Sequence, residues 1–333
     1  MKVPLYYIYM SEQINSFLHT PETIEVTSKY DDTVSEFLND QVSHVSEESV
    51  RKVTHFAEHE YEPLLREKVL SKKSPNTVSY DKYKKSFSVQ GKSISPGEIV
   101  ASRHFTNDIS IPDSTQVSGA GKGVFEKYIE LSTKDVLTEE LNKTLAKNLA
   151  EKTRREDALK SKAYSEIEAR SGITSEQLGI KAEKLMIGVA EMISINRPDL
   201  HISVRPGNAY EDVQEKIDFI IDVRSKKRGV GIETSDELFD EKHFGIQFTI
   251  NSSKQDSKKD QIEKSKNRGT EMDDILLVTM EQDMLRKALN SWKEKGSPLH
   301  GPWAEFSKES QHKVITALFE NILSEAELAS LTK

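Results

Sequence analysis

The chain of 333 residues contains no cysteine. This absence excludes disulfide bonds, thiolate metal sites, iron–sulfur clusters and cysteine nucleophiles together. Any chemistry that the protein performs must therefore use carboxylate, His, Ser, Thr or Lys side chains.

The chain also lacks a long hydrophobic run and an excess of positive charge. Its longest apolar run near the start, Val3–Met10, is far shorter than the roughly 20 residues of a spanning helix, and it lacks the flanks of a signal peptide. With 35% hydrophobic and 31% charged residues, we expect a cytoplasmic protein with no membrane partner. The net charge of -8 argues against non-specific coating of nucleic acid, although it permits a local basic surface.

Regular patterns are sparse in residues 1–125. Short apolar pieces are separated there by polar residues, and Ser71–Ser95 is rich in turn formers, which predicts loop. The exception is Ser46–Tyr61, where a Ser can cap a helix with apolar residues at helical spacing. We expect this helix to end before Pro63. The sequence thus predicts a mostly helical and irregular N-terminal region.

A charged connecting helix is predicted over residues 126–172. Thr138–Arg170 is rich in Leu, Ala, Glu, Lys and Arg without Pro or Gly, a composition that favours helix. Its apolar stripe fades into a charged run, so we expect an exposed spacer or dimerisation arm. Before it, Gly119–Gly123 lacks the spacing and the Ser or Thr of a nucleotide-binding loop, and it predicts a flexible loop.

The remaining residues, 173–333, are far more regular. They predict a helix that ends before Pro198, then three strands, a polar helix, a buried strand and two covering helices. Val230–Glu233 is a candidate for a further short strand. The predicted strands are Leu200–Val204, Lys216–Val223, Phe244–Ile250 and Ile275–Val278, and the predicted helices after the third strand are Lys254–Arg268, Met284–Lys295 and Lys308–Leu323.

Two of the predicted strands present polar side chains where apolar ones are expected. By strand alternation, Asp218 and Asp222 point to one side of their strand, and Gln247 and Thr249 to one side of theirs. If the strands are neighbours with matching faces, Asp218 and Gln247 offer oxygens to one hard cation such as Mg2+. The alternative is the polar side of an ordinary α/β sheet.

The order of elements, together with Lys216-Ile-Asp218 and Gly245-Ile-Gln247-Phe-Thr249, resembles the PD-(D/E)XK nuclease superfamily over roughly residues 174–280. The resemblance implies an α+β or α/β fold, with a restriction-endonuclease-like α-β-β-β-α-β core and extra C-terminal helices in a domain over residues 173–333. It also implies metal-dependent cleavage of phosphodiester bonds in DNA, or in RNA, with Mg2+ or Mn2+ as cofactor.

The resemblance assigns roles to individual residues. Asp218 and Gln247 match the family's metal ligands, and a helix acid that often adds to the family site corresponds to Glu183, or else to Glu191. Thr249 stands where the family has a Lys, and Thr cannot place a positive charge beside a developing oxyanion. Lys254 or Lys258, just after this strand, is the candidate replacement.

Other functions remain open at this point. Without its usual Lys, the same fold can serve as a nucleic-acid-binding or protein-interaction module with no chemistry. Basic clusters that could attract phosphate flank the motif, at Arg224–Arg228 and Lys254–Arg268. A remote alternative is a zinc peptidase, because His55, Glu58 and His59 fit the pattern H-x-x-E-H, although they are expected on a polar helix face without a third ligand. The oligomeric state is not indicated.

Overall fold

The computed structural model has a mixed α+β fold, which confirms the predicted class at that level. None of the helices in the part of the chain that it describes is long and apolar enough to cross a membrane. The structure describes residues 28–30, 33–34, 46–71, 73–106, 108–152, 178–207, 211, 216–226, 239–250, 255–268, 270 and 272–331.

The first helix begins where the sequence predicts but does not end there. Helix α1 (Glu47–His55) is capped by the Ser46 hydroxyl, which accepts a hydrogen bond from the Ser49 N–H. A π turn (Phe56–Tyr61) then leads directly into α2 (Glu62–Ser71). The expected end before Pro63 is therefore wrong. In the π turn the Glu62 N–H bonds the Ala57 carbonyl, five residues back, and this wider turn lets the chain pass a residue that has no N–H to donate.

The segment expected to be loop forms a small antiparallel sheet, the N-terminal sheet. Its strands are β1 (Val78–Asp81), β2 (Ser86–Val89) and β3 (Lys92–Ile94), in that order. One side of this sheet is buried through Phe87 and Ile94, whereas the other carries the cross-strand row Ser79, Ser88 and Ser93. The prediction of loop is wrong because each strand offers only one or two apolar residues, too few for a recognisable alternation.

Short helices α3 (Pro96–Ala101) and α4 (Asp113–Gln116) precede a long helix, α5 (Gly119–Lys152). The expected flexible loop at Gly119–Gly123 is therefore wrong, since these residues form the first turns of α5. Gly121 packs so closely that a Cβ atom would lie 1.9 Å from the Thr115 carbonyl oxygen.

Helix α5 is also less exposed than the sequence predicts. Its Phe125, Ile129, Leu137 and Leu141 are buried, so this part is a core helix of the N-terminal half rather than an exposed spacer. Residues 153–177 of the predicted connecting helix lie outside the described residues, and the division into three regions stays a prediction.

A four-stranded sheet, the C-terminal sheet, organises the second half. Helix α6 (Leu178–Asn196) leads to β4 (Ile202–Pro206), β5 (Phe219–Lys226) and β6 (Phe239–Thr249), which pair antiparallel in sequence order. Helix α7 (Gln255–Arg268) then crosses to β7 (Asp274–Thr279), which pairs parallel to β6. The candidate strand Val230–Glu233 lies outside the described residues. The chain continues into α8 (Gln282–Glu294), α9 (Lys308–Phe319) and α10 (Glu325–Leu331).

Helices cover both faces of the C-terminal sheet. The face packed by α6, α8 and α9 (the α6 face) belongs to a large apolar cluster that includes Phe219, Ile246 and Leu318. On the opposite face (the α7 face) a small cluster surrounds one residue of α7; its buried members are Ile217, Ile220, Ile262 and Ile275. The result is a three-layer arrangement of helices, sheet and helix.

The N-terminal half docks on α6 through polar contacts. The Gly97 N–H donates to Asn196 Oδ1 at 3.0 Å, and Arg103 contacts Glu191. A third contact joins Glu98 to His300, with 3.2 Å between the carboxylate and the ring nitrogen. The two halves therefore meet along α6 and the turn that follows α8.

Candidate functional site

Asp218 and Gln247 lie side by side at one edge of the C-terminal sheet. Asp218 immediately precedes β5, and its N–H donates to the Ile246 carbonyl at 2.8 Å. Since Phe219 pairs with Ile246, the next residues outward in the same register are Asp218 and Gln247. Both alternate with residues of the α6 face and thus belong to the α7 face.

The side chains of Asp218 and Lys258 both bond the main chain of one residue of β6, Phe248. The Phe248 N–H donates to Asp218 Oδ2 at 2.5 Å, and the Phe248 carbonyl accepts from Lys258 Nζ at 2.5 Å. In a strand, the N–H and C=O of one residue point to the same side. The carboxylate and the ammonium therefore approach the same stretch of strand edge, the lysine from the first turn of α7.

Gln247 completes this group with a polar atom that lacks a partner. The Gln247 side chain is only 3% exposed, and its Oε1 has no hydrogen-bond partner among the described residues. A buried unpaired oxygen is costly and is commonly explained by an absent water or ion. An amide oxygen beside a carboxylate is a donor set that suits a hard cation such as Mg2+, so these residues fit the implied metal.

Two glycines let the chain approach closely around Asp218. A Cβ at Gly207 would lie 2.5 Å from the Ile217 carbonyl oxygen, and one at Gly245 would lie 2.8 Å from the Ile217 side chain. The Gly207 N–H donates to the Asp218 carbonyl at 3.0 Å. Sequence reasoning missed these positioning residues, although Gly245 directly precedes the Ile-Gln motif and glycine within a strand signals close approach.

The two candidate acids of α6, Glu183 and Glu191, lie in different environments. Glu183 lies on α6 and lines a cavity together with Gly207. Glu191 is committed elsewhere: its carboxylate accepts from Arg103 at 2.5 Å and contacts His104 Nε2 at 2.8 Å. Burial raises the pKa of Glu191, but the charges of Arg103 and His104 outweigh that effect and hold its pKa at about 2. Lys254, the other candidate lysine, lies outside the described residues.

A groove adjoins the site at the carboxyl ends of the parallel strands β6 and β7. Its volume is about 800 Å³, and its lining includes Thr249, Thr279 and the first turns of α8 and α9. Crevices at this end of an open sheet are common ligand sites. The groove begins at Thr249, the residue after Phe248.

The predicted basic clusters are only partly available for phosphate. Arg224 contacts Glu241 at 2.8 Å, and Lys266 of α7 pairs with Asp274. Lys259 and Lys264 are exposed on α7. Residues 227–228 lie outside the described residues.

The His pair lies on an exposed helix surface. The side chains of His55 and His59 are 67% and 64% exposed, and Glu58 accepts hydrogen bonds from Ser28 Oγ and the Lys29 N–H. In the described part of the chain, no group of three or more His, Asp or Glu could hold a metal ion. The zinc peptidase alternative thus gains no third ligand from these residues.

Comparisons with known proteins give no match. No protein-family model matches the chain, no curated protein matches it, and no solved structure matches it.

Proposed function

We propose that the C-terminal sheet and its helices form a PD-(D/E)XK-like core that cleaves phosphodiester bonds in DNA, or in RNA, with Mg2+ or Mn2+. The order of α6, three antiparallel strands, α7 and a parallel strand supports this restriction-endonuclease-like assignment. The observation that carries the proposal is that Asp218 and Lys258 bond the N–H and the carbonyl of the same residue, Phe248, which follows Gln247.

In this proposal Asp218 and Gln247 hold the metal ion. The ion, when bound, would polarise the phosphodiester and lower the pKa of a coordinated water. The Asp218 carboxylate supplies the negative charge, and Gln247 supplies the oxygen that has no other partner among the described residues. The Phe248 N–H fixes the direction of the carboxylate. Glu183, from α6, would add a carboxylate from the side of Gly207.

Lys258 takes the role of the lysine that Thr249 replaces. Its Nζ donates to the Phe248 carbonyl, and Phe248 is the residue between Gln247 and Thr249, so this closeness supports the assignment. A positive charge there stabilises the negative charge that develops on the attacked phosphate. Lys254 precedes α7 and stays a second candidate for this role.

The test compares three variants of the full chain with the native protein. Asp218→Asn keeps the size but removes the charge, so we expect weaker Mn2+ binding and loss of cleavage. Lys258→Ala should lower cleavage by about 100-fold, as loss of one oxyanion-stabilising donor does, with Mn2+ binding retained. Lys293→Ala, at an exposed lysine of α8, is the control and should change neither.

The measurements are calorimetry with Mn2+ and digestion of plasmid, single-stranded DNA and RNA. Equal cleavage by the native protein and Asp218→Asn would contradict the assignment of the site. Metal binding without cleavage of any substrate would contradict the enzyme.

A non-catalytic module with the same fold is the second candidate. It is favoured by the neutral Gln247 in place of a carboxylate and by Thr249 at the lysine position, both of which are buried. Thr249→Lys restores the usual family residue and separates the two functions. If the native protein cuts nothing and only this variant gains activity, the fold assignment stands and the native enzyme does not.

A further inference from the structure

A second cavity, the α5–α6 cavity, opens between the N-terminal helices and α6. Its volume is about 460 Å³, within the range of roughly 300–1,000 Å³ typical of small-ligand sites. Tyr61, Asn142 and Lys143 line it from the N-terminal half, and Glu183 and Gly207 line it from the C-terminal half.

The α5–α6 cavity borders the candidate site at Gly207. Gly207 is part of its lining, and the Gly207 N–H donates to the Asp218 carbonyl. A ligand in the cavity would thus contact a residue that is bonded to the main chain of Asp218.

The charges in the cavity lining largely neutralise one another. Arg103, whose side chain is 4% exposed, pairs with Asp135 and Glu191. Lys143 pairs with Glu139 at 2.7 Å. The lining therefore favours a neutral ligand group over a charged one.

A polar atom in the wall lacks a partner instead. Asn142 lines the cavity, and its Oδ1 is buried with no hydrogen-bond partner among the described residues. A ligand that carries an N–H donor would satisfy this oxygen.

Tyr61 adds an aromatic surface to this wall. It is partly exposed at the end of the π turn. Burial raises the pKa of Tyr61, and Asp135 and Glu139 raise it further, so its hydroxyl stays protonated. A neutral planar ligand with N–H groups, such as a nucleobase, combines stacking on Tyr61 with hydrogen bonds to Asn142.

We propose that the α5–α6 cavity receives one unstacked nucleotide of a single-stranded substrate whose phosphate lies at Asp218. This inference rests on the proposed nuclease function and names its substrate class. A paired and stacked duplex cannot enter a cavity of this volume, whereas a single strand can turn one base into it. The N-terminal half would then select single strands over duplexes.

The test uses the cleavage-deficient Asp218→Asn protein and a single-stranded oligonucleotide that contains 2-aminopurine, whose fluorescence falls when the base stacks. We expect quenching on binding with the otherwise native cavity. Tyr61→Ala and Asn142→Leu should each weaken binding by about ten-fold and remove the quenching. Tyr61→Phe keeps the ring and should retain both, whereas Tyr83→Ala, at a tyrosine that is 87% exposed in a turn of the N-terminal sheet, is the matched control.

The outcomes separate this inference from the proposed function. Cleavage of single strands by the native protein, with unchanged affinity in Tyr61→Ala and Asn142→Leu, would overturn the cavity assignment and leave the nuclease intact. Equal cleavage of duplex and single-stranded DNA would also overturn it. Saturable binding of a free nucleoside that is lost in the same variants, without binding of the oligonucleotide, would replace the strand by a free ligand and overturn it as well. Absence of cleavage by the native protein would instead count against the proposed function.

Discussion

The two faces of the C-terminal sheet are both covered by helices, but they bury different chemistry. The α6 face contributes Phe219, Ile221 and Ile246 to one large apolar cluster. The α7 face combines the small isoleucine cluster with Asp218, Gln247 and Thr249. Apolar burial stabilises a fold in proportion to the area removed from water, whereas buried polar groups without partners oppose it. The α6 face therefore contributes more to the stability of the fold than the α7 face does.

The largest expected effect tests whether the α6 face contributes more to the free energy of unfolding than the α7 face. Phe219 and Ile220 are adjacent and fully buried on opposite faces. We expect Phe219→Ala to lower the free energy of unfolding by about 4 kcal/mol, and Ile220→Ala by about 2 kcal/mol, because the smaller cluster can relax around the lost methyl groups. Urea unfolding gives both values. A larger loss for Ile220→Ala would break the comparison.

A smaller loss of stability is expected at Glu191, on the side of α6 that meets the N-terminal half. Glu191→Gln leaves the buried Arg103 with one carboxylate fewer, and we expect a loss of about 3 kcal/mol. Because the pKa of Glu191 is about 2 in the folded protein against an ordinary 4.5, its contribution is present above pH 4.5 and disappears as the pH falls towards 2.

The measurement for Glu191 is urea unfolding at a series of pH values. The native protein should lose more stability than Glu191→Gln between pH 4.5 and 2. Parallel pH profiles for the two proteins would show that the carboxylate is not held in its charged form by Arg103 and His104.

The smallest expected effect is a gain in stability, and it tests whether the polar groups of the α7 face bind a metal ion. Gln247→Leu removes the unpaired oxygen from the α7 face, and we expect a gain of about 1 kcal/mol in stability. The same variant should bind Mn2+ more weakly than the native protein, since it lacks a metal ligand. Thermal unfolding and calorimetry provide the two values. A loss of stability with unchanged metal binding would make Gln247 a structural residue.

Most of the C-terminal sheet could be predicted from the sequence because its strands are enriched in Ile, Val and Phe. The predicted Ile275–Val278 lies within β7, whereas the predicted Lys216–Val223 is displaced by three residues from β5 at both ends. The N-terminal sheet was missed because short strands such as β3, Lys92–Ile94, bury a single residue. Its burial depends on packing against residues far along the chain, such as Leu299, and no local pattern reports that.

The candidate site was predictable in its side chains but not in its main chain. Strand alternation pointed to Asp218 and Gln247, and proximity in sequence pointed to Lys258. The bonds of Asp218 and Lys258 to the main chain of Phe248 could not be predicted, because every residue carries these backbone groups and they have no sequence signature. The α5–α6 cavity was equally hidden, since it forms only where the two halves meet.

The contact between Glu98 and His300 can form only late in synthesis. The two residues are 202 positions apart, so on a ribosome that adds about 5–20 residues per second the first waits roughly 10–40 s for the second. Helix α6 ends at Asn196, about half-way between the two residues in the sequence. The buried side of α3 therefore has no α6 to pack against during roughly the first half of this interval, and the later turn is absent for all of it. A nascent chain thus exposes this apolar surface for several seconds before α6 is complete.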